Sequence, residues 1–257
     1  MAKTDTSERW FEARVVRGLT GVPQPEYSHA LAPTDFAATH NGYVQGKPTD
    51  YNRDVALDVA QLLAFLQATQ PKVVETLELA ADGIKRTQFL HRLQGEITKR
   101  GVVDVLRKGV SHGPVHVDLY KLLPTPGNAA AADAFGKNIF SVTRQVRYSN
   151  DSGNELDLAI FITHLTGKTS WFLPFNQGWN SGAGNPPNPD GLKTDYLWKQ
   201  VLTRESLANI IESYAQVVEE EEADASGKKR KKRKQIFPRF HQLRTVRALL
   251  RRALADG

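Results

Sequence analysis

The chain has 257 residues, of which 40% are apolar and 24% are charged, the composition of an ordinary folded protein rather than of a disordered or collagen-like one. Its apolar runs are far shorter than the roughly 18 residues that a membrane span requires, and residues 1–8 lack the apolar core of a secretory signal. It contains no cysteine, which excludes disulfides, zinc ribbons and a thiol nucleophile. We therefore expect a cytoplasmic protein that does not bind a membrane.

Most of the excess positive charge lies in one run of the sequence. The formal net charge is +6, and seven of the 34 basic residues are consecutive, namely Lys228, Lys229, Arg230, Lys231, Lys232, Arg233 and Lys234. The other 27 basic residues are balanced by 28 acidic ones, so the rest of the chain is close to neutral. Such a run binds DNA by displacing counterions from phosphates, but it is equally typical of a solvated linker. The sequence leaves both interpretations open.

The N-terminal half is predicted to be mainly helical. Apolar residues from Trp10 to Leu19 recur at helical spacing after Ser7, which suits an N-cap, and they predict a helix over residues 8–18. A stretch rich in Gly, Pro, His and Asn over residues 20–50 predicts an irregular connection. Further helical patterns cover residues 54–67, 71–80 and 86–100, the last of which is ended by Gly101.

The pattern then changes to the alternation of strands. Residues 115–120 and 139–148 alternate apolar and polar side chains, and residues 156–162 form an apolar run suited to a strand buried on both faces. A strong turn signal over residues 150–154 connects the last two strands. Helices followed by consecutive strands predict an α/β or α+β architecture.

After these strands the chain becomes irregular and then charged. Residues 174–191 are too rich in Gly, Pro and Asn for regular structure, and residues 196–218 have a helical pattern. Residues 219–222 are predicted to begin a charged, mobile linker that ends in the basic run. A basic amphipathic helix is predicted over residues 236–255.

Several blocks of the sequence are informative through their order along the chain. They are TSERWFE at residues 6–12, LAFLQATQPK at 63–72, SVTRQ at 141–145, ELDLAIFI at 155–162, FLPFN at 172–176, GAGNPPNP at 182–189 and IFPRFHQL at 236–243. In this order the blocks resemble the N-terminal region of the restriction (R) subunit of type I restriction–modification enzymes. The resemblance extends over nearly the whole chain.

This resemblance implies a fold, a reaction and partners. The family begins with a PD-(D/E)xK nuclease domain and continues into an ATP-driven, helicase-like motor. Together with modification and specificity subunits it translocates and cleaves foreign DNA, with Mg²⁺ and ATP as cofactors. The resemblance aligns the family's metal-binding catalytic Asp with Asp157 and a supporting helix carboxylate with Glu8. It aligns the glutamine that reads adenine with Gln242, and Arg239 lies in the turn before it.

Two departures from the family pattern bear on activity. In the family, the strand that matches residues 158–162 leads into the Glu-x-Lys half of the nuclease motif, whereas here residues 163–176 follow directly and match a later region. The sequence also ends at Gly257, about where the family's phosphate loop begins. Phosphodiester hydrolysis needs a metal and a positioned group, usually a lysine, that orients or activates the water, and ATP hydrolysis needs groups that hold the phosphates. We therefore expect a chain that neither cuts DNA nor hydrolyses ATP.

The sequence as a whole predicts an α/β fold. Its main part is expected to be an incomplete restriction-endonuclease-like mixed sheet flanked by helices, followed by an irregular Gly/Pro/Asn-rich segment and further helices. The predicted parts are a nuclease-like domain (1–165), the irregular segment with a connecting helix (166–226), and the basic linker with the first helix of a truncated motor (227–257). The alternatives are a non-catalytic module that binds DNA or a partner subunit, and a remnant of a decaying gene.

Overall fold

The computed structural model describes residues 8–24, 41–147, 155–162, 175–223 and 229–255. Helix α1 (Glu8–Thr20) confirms the first predicted helix and extends it by two residues. Trp10, Val15 and Leu19 are buried on it, as their spacing predicts, whereas Phe11 lies at the surface. The proposed N-cap, Ser7, lies outside the described residues.

Short strands and helices follow α1. The strands are β1 (Val44–Gln45), β2 (Tyr51–Asn52) and β3 (Leu57–Asp58), and the helices are α2 (Val59–Thr69), α3 (Pro71–Thr76), α4 (Ile84–Arg100) and α5 (Val102–Lys108). Helix α2 begins five residues later than predicted because Asp58 is its N-cap, accepting a hydrogen bond from the Gln61 backbone N–H. Helix α4 ends at Gly101 as predicted, because this residue adopts a φ of +84° that favours glycine.

A mixed sheet occupies the middle of the chain. It follows the hairpin of β4 (Val110–His112) and β5 (Val115–Val117) and helix α6 (Ala129–Gly136), and its long strands are β6 (Phe140–Arg147) and β7 (Glu155–Ile162). Strand β6 is central, with β1 parallel on one side and β7 antiparallel on the other. The predicted mixed sheet flanked by helices is thus present, with three strands in the part of the chain described.

The C-terminal part differs from the predicted helix and linker. Two π-helical turns (Leu197–Val201 and Ile210–Tyr214) flank helix α7 (Arg204–Asn209), and the chain then enters strand β8 (Gln216–Ala223), strand β9 (Lys229–Ile236) and helix α8 (Phe240–Ala255). The predicted helix therefore ends before residue 218. The predictions of a linker over residues 219–222 and a linker in the basic run are wrong, because these segments pair as an antiparallel hairpin.

The hydrophobic core joins these parts around α2, α4 and the sheet. Its largest fully buried side chains include Phe65, Phe89 and Phe140. A smaller hydrophobic cluster packs the first turn of α8 against the region of the two π-helical turns, residues 196–214, which is called the π-helical segment below. The cluster consists of Phe240, Leu243, Tyr196, Val201 and Ile210. No helix in the described ranges combines the length and the apolarity needed to cross a membrane.

Candidate functional site

The backbone register shows what lies opposite Asp157 in the sheet. Leu156 on β7 pairs with Val146 on β6, and Leu158 pairs with Arg144. Gln145 is therefore the residue of β6 that stands opposite Asp157. Asp157 and Glu8 lie in β7 and at the start of α1 respectively, but their side chains are outside the described part of the structure.

The backbone of β6 is distorted at this position. Gln145 has a φ of +52°, a left-handed conformation that is costly for a residue other than glycine, especially inside a strand. Its Nε2 group donates hydrogen bonds to both carboxylate oxygens of Glu12, at 3.1 and 3.0 Å. These two bonds fix the Gln145 side chain against helix α1, and they help to hold the unusual backbone conformation.

Glu12 is the carboxylate that α1 contributes to this part of the sheet. It is only 3% exposed, and its Oε2 also accepts a hydrogen bond of 3.2 Å from Arg144 Nε. The sequence resemblance directs attention to Glu8, one helical turn earlier, and Glu12 was missed. Its position on the same helix face as Val16 and Leu19 could have revealed it, because a carboxylate inside an apolar stripe must be paired to be buried.

The arrangement around Glu12 does not fit a magnesium ion. Mg²⁺ binds oxygen ligands, but here the two oxygens of the carboxylate receive N–H donors from Gln145 and from the Arg144 guanidinium. A metal ion would have to displace these donors and lie beside a positive charge. In the ranges covered by the structure there is also no group of three or more His, Asp or Glu residues that could hold a metal.

Asp58 is a second buried carboxylate close to the sheet. Burial raises the pKa of its carboxyl above the usual 3.8, although hydrogen bonds from the backbone of α2 oppose this shift. A raised pKa disfavours the ionised form that a metal ligand needs. Its bond to the Gln61 N–H makes Asp58 a helix cap rather than part of a catalytic site.

Gln242 and Arg239, the residues expected to read adenine, form the beginning of α8. The Arg239 backbone N–H donates to Gln242 Oε1 at 2.9 Å. This is the contact in which a glutamine at the third helical position reaches back to the N-cap residue. An amide oxygen has two lone pairs, so this cap leaves Gln242 Oε1 able to accept a further hydrogen bond from an adenine amino group. The adenine contact stays a prediction.

The basic run is part of a paired strand. Lys228 lies outside the described residues, and Lys229, Arg230, Lys231 and Lys232 are described by their backbone in β9. Arg233 and Lys234 also have described side chains. Arg233 Nε lies 2.7 Å from Glu219 Oε1, and Lys234 forms an ion pair with Glu220. At the two positions whose side chains are described, the run predicted to bind DNA is thus paired with carboxylates of the neighbouring strand.

Helix α8 lines a cavity of about 710 Å³ with the π-helical segment. Phe240 and Leu243 line its apolar part, and Arg244, Arg247 and Arg251 bring positive charge to it. Arg247 is fixed, because it donates to Ser206 Oγ at 3.0 Å and to Asn209 Oδ1 at 3.0 Å. Leu250 and Leu254 lie further along the same side of the cavity and are 54% and 84% exposed.

Scans against protein-family models, curated proteins and solved structures found no match. The resemblance to the type I restriction subunit therefore stays a prediction that rests on the ordered sequence blocks. The contacts of Glu12, the β8–β9 hairpin and α8 are the observations from which a function can be argued.

Proposed function

We propose that this chain is similar to the N-terminal region of the restriction subunit of type I restriction–modification enzymes, that it acts in the cytoplasm, and that it contacts DNA without cutting it. The expectation that the chain does not cut DNA rests on the hydrogen bonds that occupy the Glu12 carboxylate. A nuclease of this class needs carboxylates that are free to hold a divalent cation. Glu12, the buried carboxylate that contacts Gln145 on β6, is instead bound by Gln145 and Arg144.

The DNA contact is supported by the charge of the C-terminal elements. Helix α8 carries four arginines and no acidic residue, namely Arg244, Arg247, Arg251 and Arg252. Arg244 and Arg251 lie at the surface, where guanidinium groups can pair with phosphates. Strand β9 adds the basic run close by in sequence. These groups suit the phosphate backbone and carry no information about a base sequence.

The test mixes the purified chain and Mg²⁺ with supercoiled plasmid, with and without ATP, and titrates a short fluorescent duplex across salt concentrations. We expect intact plasmid, together with duplex binding that weakens as salt rises. Because each lost phosphate contact lowers the salt slope by about 0.9, the double variant Arg244→Gln/Arg251→Gln is expected to reduce it by about 2.

The matched control is Lys72→Gln/Lys85→Gln, which removes two exposed charges from α3 and α4 and is expected to leave the slope nearly unchanged. Linearised plasmid would show that the chain does cut DNA. Failure to bind the duplex at low salt, both by the unmodified chain and by a chain with Glu219, Glu220, Glu221 and Glu222 changed to Gln, would refute the DNA contact.

A second candidate function is binding to the modification or specificity subunit, and the uncovered end of α8 favours it. Leu249, Leu250 and Leu254 are exposed along a helix whose arginines are unbalanced by acidic residues. Two such helices would repel each other, so the fitting occupant is an acidic amphipathic segment of a partner subunit rather than a second copy of this chain.

Co-elution with the two partner subunits tests this candidate. Leu250→Asp/Leu254→Asp is expected to abolish co-elution, because it places carboxylates in the apolar part of the contact. The control is Ile84→Asp, which alters a residue that is 78% exposed at the start of α4. Equal co-elution of both variants would exclude α8 as the contact.

A further inference from the structure

We propose that strand β8 is a built-in competitor of DNA for strand β9, so that β9 engages phosphates only after the two strands separate. This inference rests on the proposed DNA contact and adds a mechanism that regulates it. Within the hairpin, the acidic strand takes the place that a nucleic-acid backbone would take.

The first observation is the register of the two strands. Eight residue pairs run from Gln216 opposite Ile236 to Ala223 opposite Lys229. The four consecutive glutamates stand directly opposite four basic residues, in the pairs Glu219–Arg233, Glu220–Lys232, Glu221–Lys231 and Glu222–Arg230. A shift of the register by two residues toward the C-terminal end of β9 would leave Glu219 opposite the uncharged Gln235. The charges therefore disfavour a shift in that direction.

The second observation is direct contact between the described side chains. Arg233 reaches Glu219 Oε1 with Nε at 2.7 Å and with a terminal nitrogen at 2.5 Å. Lys234 pairs diagonally with Glu220. All four side chains are between 38% and 46% exposed, so the pairs are accessible to salt and to a competing polyanion.

The third observation is that helix α5 holds the start of β8 and the end of β9 through hydrogen bonds. The Arg107 guanidinium donates to the carbonyl oxygens of Ile211 and Ala215, at 2.8 and 2.7 Å, just before β8 begins. The Val103 N–H donates to Gln235 Oε1 at 2.8 Å, near the end of β9. An opened β8 would therefore remain tethered close to β9, at a high effective concentration.

The balance of charge sets the expected salt dependence. Strand β9 contains six basic residues and β8 contains four acidic ones, so the paired hairpin offers DNA little net charge. Salt weakens the ion pairs of the hairpin as well as the contacts with phosphates. We therefore expect a lower salt slope of DNA binding than the basic residues would produce if they were unpaired, at about 0.9 per phosphate.

The test neutralises the competitor with Glu219→Gln, Glu220→Gln, Glu221→Gln and Glu222→Gln in one chain. At about 0.1 M salt we expect DNA binding to tighten about tenfold or more, and the salt slope to steepen by about 2 or more. The control makes the same change in net charge away from the hairpin, at the exposed residues Glu75, Glu78, Asp82 and Asp133. It is expected to change the affinity much less.

A reversible lock tests the separation of the strands independently. Ala223 and Lys229 are paired at the far end of the hairpin, and the chain has no cysteine of its own. A disulfide between Ala223→Cys and Lys229→Cys would hold the strands together. DNA binding is expected to weaken about tenfold on oxidation and to recover fully on reduction of the same sample.

The outcomes separate the two proposals. If the glutamine variant and its control bind DNA alike, or if oxidation leaves the affinity of the cysteine variant unchanged, β8 is not a competitor. If no variant binds DNA even at low salt, the proposed DNA contact itself fails. Circular dichroism and thermal unfolding of each variant show whether the fold is retained, and the oxidised and reduced forms of one chain serve as their own control.

Discussion

Replacing Phe140 with alanine is expected to lower the free energy of unfolding by about 3–5 kcal/mol. Phe140 is the first residue of β6 and is only 1% exposed. Its ring lies 5.6 Å from that of Tyr43 and 6.3 Å from that of Phe135, and the Arg204 guanidinium carbon lies 5.1 Å above it. Alanine would leave a cavity where the sheet, α6 and α7 meet.

Urea unfolding measures this effect as a fall in the midpoint at an unchanged slope. Ile84→Ala is the control, since Ile84 is 78% exposed, and we expect it to change the free energy of unfolding by less than about 0.5 kcal/mol. Similar stability of the two variants would mean that Phe140 does not link these elements.

The second large effect is expected at Glu12. Because breaking a buried ion pair leaves an uncompensated charge, Glu12→Ala is expected to lower the free energy of unfolding by about 3 kcal/mol or more. Gln145→Ala removes the side-chain amide that donates hydrogen bonds to the Glu12 carboxylate. If the two side chains act on each other as the structure indicates, a double-mutant cycle should give a coupling energy of about 0.5–3 kcal/mol.

Magnesium distinguishes a structural Glu12 from a metal ligand. A ligand that binds only the folded state raises the unfolding midpoint, and we expect Mg²⁺ to leave the midpoints of the unmodified chain and of Glu12→Ala unshifted. Glu75→Ala is the matched control for loss of one carboxylate, because Glu75 is exposed on α3. A Mg²⁺-dependent stabilisation that disappears in Glu12→Ala would restore the metal-site interpretation.

Local patterns in the sequence were sufficient where one element makes its own signal. The apolar spacing from Trp10 to Leu19 predicted α1, and Gly101 marked the end of α4. The alternation over residues 139–148 predicted β6, and the apolar run over residues 156–162 predicted β7. Helices α5 and α6 were missed. The start of α2 was misplaced because residues 57–58 belong to the short β2–β3 hairpin, and Asp58 at its end is the N-cap of the helix.

The candidate site required contacts between distant residues. Glu12 meets Arg144 and Gln145 across more than a hundred residues, a pairing that no local pattern reveals. The sequence block around Gln242 also gave no sign that its side-chain oxygen caps α8 by accepting from the Arg239 N–H. The acidic and basic segments each resembled a linker, because glutamate and lysine have low strand propensity when considered separately.

The sequence alone determined that this chain has a helix-flanked α/β architecture and one concentrated basic segment. Only the tertiary structure decided that the basic segment is a strand and that its partner is the run of four glutamates. The physical reason is that charge composition is a local property, whereas the energy of a charge depends on what lies opposite it. The register of β8 and β9 sets those opposite charges, and it exists only once the chain has folded.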